Sequence, residues 1–238
     1  MAQVTFIRAR RPEQKRLRRE AILVAARELA IQVGVQQVSL GGVAAAVGLA
    51  KSNVVRYFGT REEIYLELAA DAWQEWGEAV TPLLRAGGDP IAVLTETLEA
   101  RPLFCDLLSQ TVITLERNVS MEAARVFKRL MLRIIAEVGA EVAAARPGLT
   151  ESEGAELVGT ASALAGTLYP IVNPSPVMVE LYAQNPDIAA ACPRFAPTML
   201  RTLTAIAIGL PAMRERDQGS SAKRSTSSVG PETMMMSP

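Results

Sequence analysis

An all-α fold is predicted by three features of the sequence. Apolar residues recur at helical spacing along most of the chain, Gly and Pro punctuate these stretches, and no pair of alternating apolar/polar segments suggests a hairpin. The expected first helix runs from about Pro12 to Val33, with Ile22, Ala26, Leu29, Ala30 and Val33 on one stripe and Gly34 placed to end it in the left-handed region. A short helix follows from its cap Ser39 through Leu40, Val43, Ala44 and Val47, and Gly48 ends it. A second short helix is expected over Lys51 to Phe58. Thr60 then caps a longer helix, with Glu63 in the capping-box position and Ile64, Leu68, Ala72 and Trp76 on one face. Further helices are expected at about 91–99, 102–116, 120–145, 151–168, 177–184 and 194–212. Arg146-Pro147-Gly148 and the segment from Pro170 to Pro176 read as loops between them.

The 238 residues are 49% apolar and 21% charged, a globular composition. Histidine is absent, which excludes Ser-His-Asp and Cys-His nucleophiles, His-containing zinc sites and the usual proton shuttle. Cys105 and Cys192 have no metal spacing and form no disulfide framework, and the first residues lack the apolar stretch of a signal peptide. The longest apolar runs fall short of the roughly 20 residues of a membrane span. A cytoplasmic protein without a membrane partner or cofactor is the expectation.

Charge is divided unevenly. Residues 1–61 carry 11 Lys/Arg and three Asp/Glu, net +8, and the remainder carries net −8. A polyanion contact confined to the basic end fits this asymmetry. A solvated arm built from Arg8, Arg10, Arg11, Lys15, Arg16, Arg18 and Arg19 fits it equally.

Residues 39–58, SLGGVAAAVGLAKSNVVRYF, have helix-turn-helix spacing. Ala44, Ala45 and Ala46 permit close approach of two short helices, while Val43, Val47, Leu49, Val54 and Phe58 supply the contacts between them. Lys51, Ser52, Asn53, Arg56 and Tyr57 are left for the outside. A packing hairpin in a helical enzyme or carrier, or an architectural DNA binder, has the same pattern.

Residues from about Arg18 to Ala79 resemble the DNA-binding domain of the tetracycline-repressor (TetR) family of bacterial transcriptional regulators. The resemblance rests on Ser39, Val43-Ala44, Gly48-Leu49, Lys51, Tyr57-Phe58 and Thr60-Arg61-Glu62 in order and spacing. It implies a three-helix head, a larger helical bundle that binds an effector and dimerises, and a double-stranded DNA operator. Ser39, Lys51, Ser52, Asn53, Arg56, Tyr57, Thr60 and Arg61 are the implied DNA-facing set, with Asn53 near base edges. Ala50, Ser52 and Val55 depart from the family's usual Ser/Thr, Gly and Tyr, which shifts phosphate anchoring toward Arg56, Tyr57 and Arg61. The corresponding organisation is a basic arm at 1–16, a DNA-binding domain at 17–77, an effector and dimerisation domain at 78–213, and a disordered tail at 214–238.

The resemblance also implies a pocket between the long helices and a homodimer built by the last two main helices, residues 151–168 and 194–212. Phe104, Cys105, Leu108, Met121, Phe127, Met131 and Tyr169, with Trp73 beside them, are candidate pocket groups for an unidentified small effector, although such a stripe also suits ordinary core. Glu151/Glu153 and Glu62/Glu63 read as helix N-terminal charges, and no catalytic or metal-binding constellation is present in the sequence.

Overall fold

Five helix starts in this chain are set by short polar side chains. Ser39 Oγ accepts the Gly42 amide at 3.0 Å, Thr60 the Glu63 amide at 3.1 Å, Asp89 the Ala92 amide at 2.9 Å, Ser120 the Ala123 amide at 3.3 Å and Thr150 the Glu153 amide at 3.2 Å. Each satisfies a donor that the first helical turn leaves unpaired, at roughly 1 kcal/mol per cap. The computed structural model describes residues 4–226. Among them the chain forms α1 (Val4–Val33), α2 (Leu40–Ala46), α3 (Lys51–Val55), α4 (Arg61–Arg85), α5 (Pro90–Glu99), α6 (Pro102–Gln110), α7 (Met121–Ala145), α8 (Glu151–Val172), α9 (Pro176–Gln184), α10 (Pro186–Ala191) and α11 (Phe195–Thr226), with no strand among the described residues. A single 3₁₀ turn (Val35–Gln37) follows α1, and a π turn (Thr111–Leu115) follows α6.

Gly34 and Gly48 end α1 and α2 as expected, at φ 83° and 64°, where a side chain would be strained. α1 packs on α2 and on α4, and α2 packs on α3, with Ile22, Ala26, Val43, Val54, Phe58 and Ile64 all buried in the head. The rest of α4 enters the larger bundle. There Trp73 and Trp76 meet Phe104 of α6, with ring centroids 5.2–5.8 Å apart, and Trp76 donates its indole N–H to Thr97 at 3.0 Å. Such aromatic contacts add about 0.5–1.5 kcal/mol per pair beyond their buried area.

α8 is the central helix of the bundle, touching α5, α6, α7 and α11. Its crossing with α7 needs two glycines: a Cβ on Gly139 would lie 2.5 Å from the Ala155 backbone, and one on Gly154 would strike the Gly139 carbonyl. Gly166 lets α8 approach Leu108 of α6 in the same way, with 3.0 Å left for a Cβ. By length and apolar content α8 and the stretch Pro186–Arg216, which spans α10 and most of α11, could cross a membrane, more than the short apolar runs of the sequence suggested. Leu157, Val158, Ala161, Ala165 and Leu168 of α8 are instead buried in this core.

Several boundaries differ from expectation. α1 begins at Val4 and runs through Pro12, so the segment expected as an arm is helical from residue 4. α3 stops at Val55, with Arg56, Tyr57 and Phe58 turning toward α4. α8 passes through Pro170 to Val172, since a proline in the last turn removes only its own helical bond, and Gly166 stands at the crowded i−4 position. α10 is a further short helix between those expected at 177–184 and 194–212. α11 continues to Thr226, and Arg214 pairs with Glu153 and donates to the Gly148 carbonyl at 3.0 Å. The expected tail therefore starts within a helix that is fastened to the α7–α8 corner; residues 227–238 lie outside the described residues.

Candidate nucleic-acid interface

The turn between α2 and α3 is held from within. Leu49 donates its amide to the Ala44 carbonyl at 2.9 Å, and Val43, Val54 and Phe58 lie inside the head. This leaves Lys51, Ser52, Asn53 and Arg56 exposed on one side, with Tyr57 half-buried beside them. α1 crosses at the same place. Lys15 and Arg18 join Asn53, Arg56 and Tyr57 around a shallow recess of about 350 Å³ that has three cationic side chains and no acidic one. Phosphate oxygens fit a recess of this charge, and an exposed Asn at a helix start can reach base edges.

Three other basic groups of the head, Arg19, Arg27 and Arg61, are engaged by partners within the chain. Arg19 donates to the Tyr57 carbonyl at 2.7 Å, pairs with Glu67, and lies 4.0 Å from the centre of the Phe58 ring. Arg27 pairs with Glu75 at 3.0 Å. Arg61 donates from Nε to the Val38 carbonyl at 2.5 Å and from another guanidinium nitrogen to the Val35 carbonyl, with its plane over Tyr65. Arg61 is thus occupied by backbone acceptors and corrects the expectation of a phosphate contact there. Thr60 is likewise committed: its hydroxyl caps α4 and donates to the Asn118 carbonyl at 2.7 Å. Ser39 is exposed and caps α2.

The capping box expected at Thr60 is only half formed. Glu63 reaches past the cap to the Gly59 amide at 2.9 Å and across to the Ser120 amide at 2.8 Å. The Ser120 amide, ahead of a smaller burial cost, holds the Glu63 carboxyl below the usual range. With Thr60–Asn118 and Asn118–Glu62, this contact ties the head to the start of α7. Burial raises the Glu67 pKa despite Arg19, and raises Tyr65 to about 12.

The candidate pocket groups do not form one site. Cys105 and Tyr169 line a cavity of about 410 Å³ with Pro102, Val172 and Phe195, and Glu99, Asn173 and Arg194 stand around it. Phe104 belongs to the tryptophan cluster, Phe127 lines a smaller recess with Arg19 and Phe58, and Leu108 and Met131 pack against the core. Met121, the first residue of α7, is 76% exposed and is no pocket group. Trp73 is buried.

Family comparisons bear on both parts of the chain. Residues 22–68 match the model for bacterial regulatory proteins of the tetR family, and residues 70–214 match the model for a tetracyclin repressor-like C-terminal domain. The chain belongs to the TetR family. It is a DNA-binding transcriptional regulator of that family, with a helix-turn-helix head and a helical C-terminal body. No curated protein matches this TetR-family chain. Among solved structures, RolR in complex with resorcinol is 17% identical, with 83% of this chain and 96% of that one covered and a TM-score of 0.50, a likeness of fold. FadR of Thermus thermophilus, a TetR-family repressor in complex with lauroyl-CoA, is 20% identical over 80% of this chain and 93% of its own, with a TM-score of 0.49.

Within the TetR-family head, sequence reasoning placed Lys51, Ser52, Asn53 and Arg56 outward, where they stand. It left Lys15 and Arg18 among a general basic run. Their three-residue spacing puts them on one side of α1, but the crossing of α1 over α3 is a tertiary fact.

Proposed function

We propose that this TetR-family regulator is a cytoplasmic repressor that holds a palindromic operator as a homodimer and leaves it when a small apolar or amphipathic molecule enters its body. The observation that carries the DNA reading is the recess where Lys15, Arg18 and Arg56 surround Asn53 on the exposed side of the helix-turn-helix. Lys51 and Ser52 extend that surface. Residues 17–77 serve as the DNA-binding domain and 78–213 as the effector and dimerisation domain. The effector site is the cavity beside Cys105 and Tyr169, whose Pro, Val and Phe lining suits an apolar body and whose Asn173 and Arg194 suit a polar end.

Support for the dimer comes from the outward sides of two helices. Gly159, Thr160, Ala163 and Thr167 of α8 and Leu200, Thr204, Ala205 and Ile208 of α11 are accessible small or apolar groups, and a Cβ on Gly159 would meet nothing within 4 Å. A symmetric pair of such helices gives a four-helix contact. One recognition helix reads too few bases for a genomic site, so two half-sites, about one helical turn or a multiple of it apart, are required. Effector binding acts by favouring a dimer geometry that fits DNA less well, and the coupling equals the difference in effector affinity between the two states. Selection of bound genomic fragments, followed by gel-shift titration on the recovered sequence, tests the reading; recovery of no preferred, two-fold-related sequence would overturn it.

A further inference from the structure

A second cleft, of about 620 Å³, opens at the seam between head and body. The head contributes Gly34, Gln36 and Gln37 from the turn after α1, and the body contributes Asp106 and Ser109 of α6, Tyr169 of α8 and Tyr182 of α9. Its lining mixes amides, hydroxyls, two tyrosines and prolines with the apolar Val33, Ile171 and Met178, and Asp106 is its one charged group. Asp106 is in no ion pair among the described residues; its carboxylate accepts the Val35 amide at 2.7 Å, and Ser109 contacts it from one helical turn away. Its negative charge adds to the burial that raises the pKa values of Cys105 and Tyr169 nearby. A partly buried carboxylate without a counter-charge is electrostatically unsatisfied, and its two oxygens can accept donors beyond Val35 and Ser109.

From this lining we infer that the seam cleft is a binding site for a protonated amine, with the ammonium on Asp106 and the apolar part against Tyr169 and Tyr182. Carboxylates and other anions are excluded because no Lys or Arg lines the cleft. The aromatic rings suit a cationic ligand, since their faces carry negative quadrupole charge. Gln36, Gln37 and Ser109 supply further polar contacts to substituents. The site is distinct in chemistry from the cavity beside Cys105, which has Arg194 at its edge, although Tyr169 and Asn173 line both.

Calorimetric titration of the full chain tests the assignment, with phenethylamine and octylamine as probes and 2-phenylethanol and phenylacetate as neutral and anionic counterparts. Both amines are expected to bind the wild type, and the two counterparts are not. Asp106→Asn keeps an acceptor for Val35 and should weaken amine binding about ten- to a hundredfold. Ser109→Lys places a tethered ammonium beside Asp106 and should abolish it, which gives a second reading should the first variant fold poorly by circular dichroism. Failure of both amines to bind at millimolar concentration, equal binding by wild type and either folded variant, or equal binding of phenylacetate overturns the inference. Those failures are separate from the repressor reading, which genomic fragment selection decides without any amine.

Discussion

Asp106 and Val35 join the two parts of the molecule: the carboxylate on α6 accepts the Val35 backbone N–H at 2.7 Å, and the carbonyl of the same residue is held by Arg61 of α4. The peptide groups of one short turn after α1 are therefore fixed from both sides. Replacing Asp106 with Ala removes the acceptor for an otherwise buried amide and should cost about 1–3 kcal/mol in denaturant unfolding. Asp106→Asn keeps an acceptor without the charge. Burial, more than it is offset by the Val35 and Ser109 contacts, raises the Asp106 pKa above 3.8. The folded state thus favours the protonated acid, so this group's stabilising contribution is full below 3.8 and is lost as pH rises through the higher folded value. Wild type and Asp106→Asn should diverge across that window, the variant losing less; parallel profiles would contradict the assigned burial.

Arg56 and Arg61 should separate cleanly as variants. Arg61 serves the Val35 and Val38 carbonyls, so Arg61→Ala should lower unfolding stability by about 1–3 kcal/mol. Arg56 is exposed beside the recess, so Arg56→Ala should leave stability within ~0.5 kcal/mol and weaken operator binding by about 1–3 kcal/mol. Equal stability loss in the two variants would contradict the division.

Lys15 and Arg18 should act without sequence preference. Each phosphate they neutralise contributes about 0.9 to the log–log salt slope of DNA binding, so the double Ala variant should flatten that slope by one to two and weaken binding to operator and unrelated DNA alike. An unchanged slope would mean that both side chains are merely solvated.

Much of this head was legible in the sequence because its signals are local. Ser39 and Thr60 name helix starts, Gly34 and Gly48 name helix ends, and the apolar spacing of α2 and α3 decides which side faces out. The destination of a long cation is not local. Arg56 and Arg61 are five residues apart in one basic stretch, yet only Arg61 meets two carbonyls, those of Val35 and Val38, which lie 26 and 23 residues away in the chain. The candidate pocket groups are scattered for a related reason: Met121, Phe127 and Tyr169 share an apolar character, and only packing decides that one is exposed, one lies under the head and one lines two cavities.

Cys105 and Cys192 should differ sharply as thiols. Burial, reinforced by Asp106, pushes Cys105 up to about 12, and its sulfur lies 3.3 Å from the Leu98 carbonyl. Cys192 is half-exposed. Since the thiolate is the reacting species, alkylation of the folded chain at neutral pH should modify Cys192 and leave Cys105 intact until unfolding. Peptide mapping after iodoacetamide treatment reads this directly, and rapid modification of Cys105 would mean that its cavity opens to solvent.

The dimer contact can be tested with charges placed on the outward sides of α8 and α11. Ile206, which belongs to the expected contact helix, is half-buried and packs against the core of its own chain, so a carboxylate there would unfold the subunit. Ile208 is 63% exposed and Ala163 is exposed as well. Neither carries a burden in the isolated subunit, so Ala163→Glu and Ile208→Glu should leave the helical circular dichroism signal intact. In a symmetric contact each substitution appears twice among the small and apolar groups of these faces, and a carboxylate buried there without a partner costs several kcal/mol. Light scattering should then report a folded monomer, and gel shifts should show loss of palindrome binding with weak, salt-sensitive binding to any sequence retained through the single head. A folded dimer with normal operator affinity in both variants would move the contact to other helices, whereas loss of operator binding by a variant that remains dimeric would place these residues in the coupling between body and head.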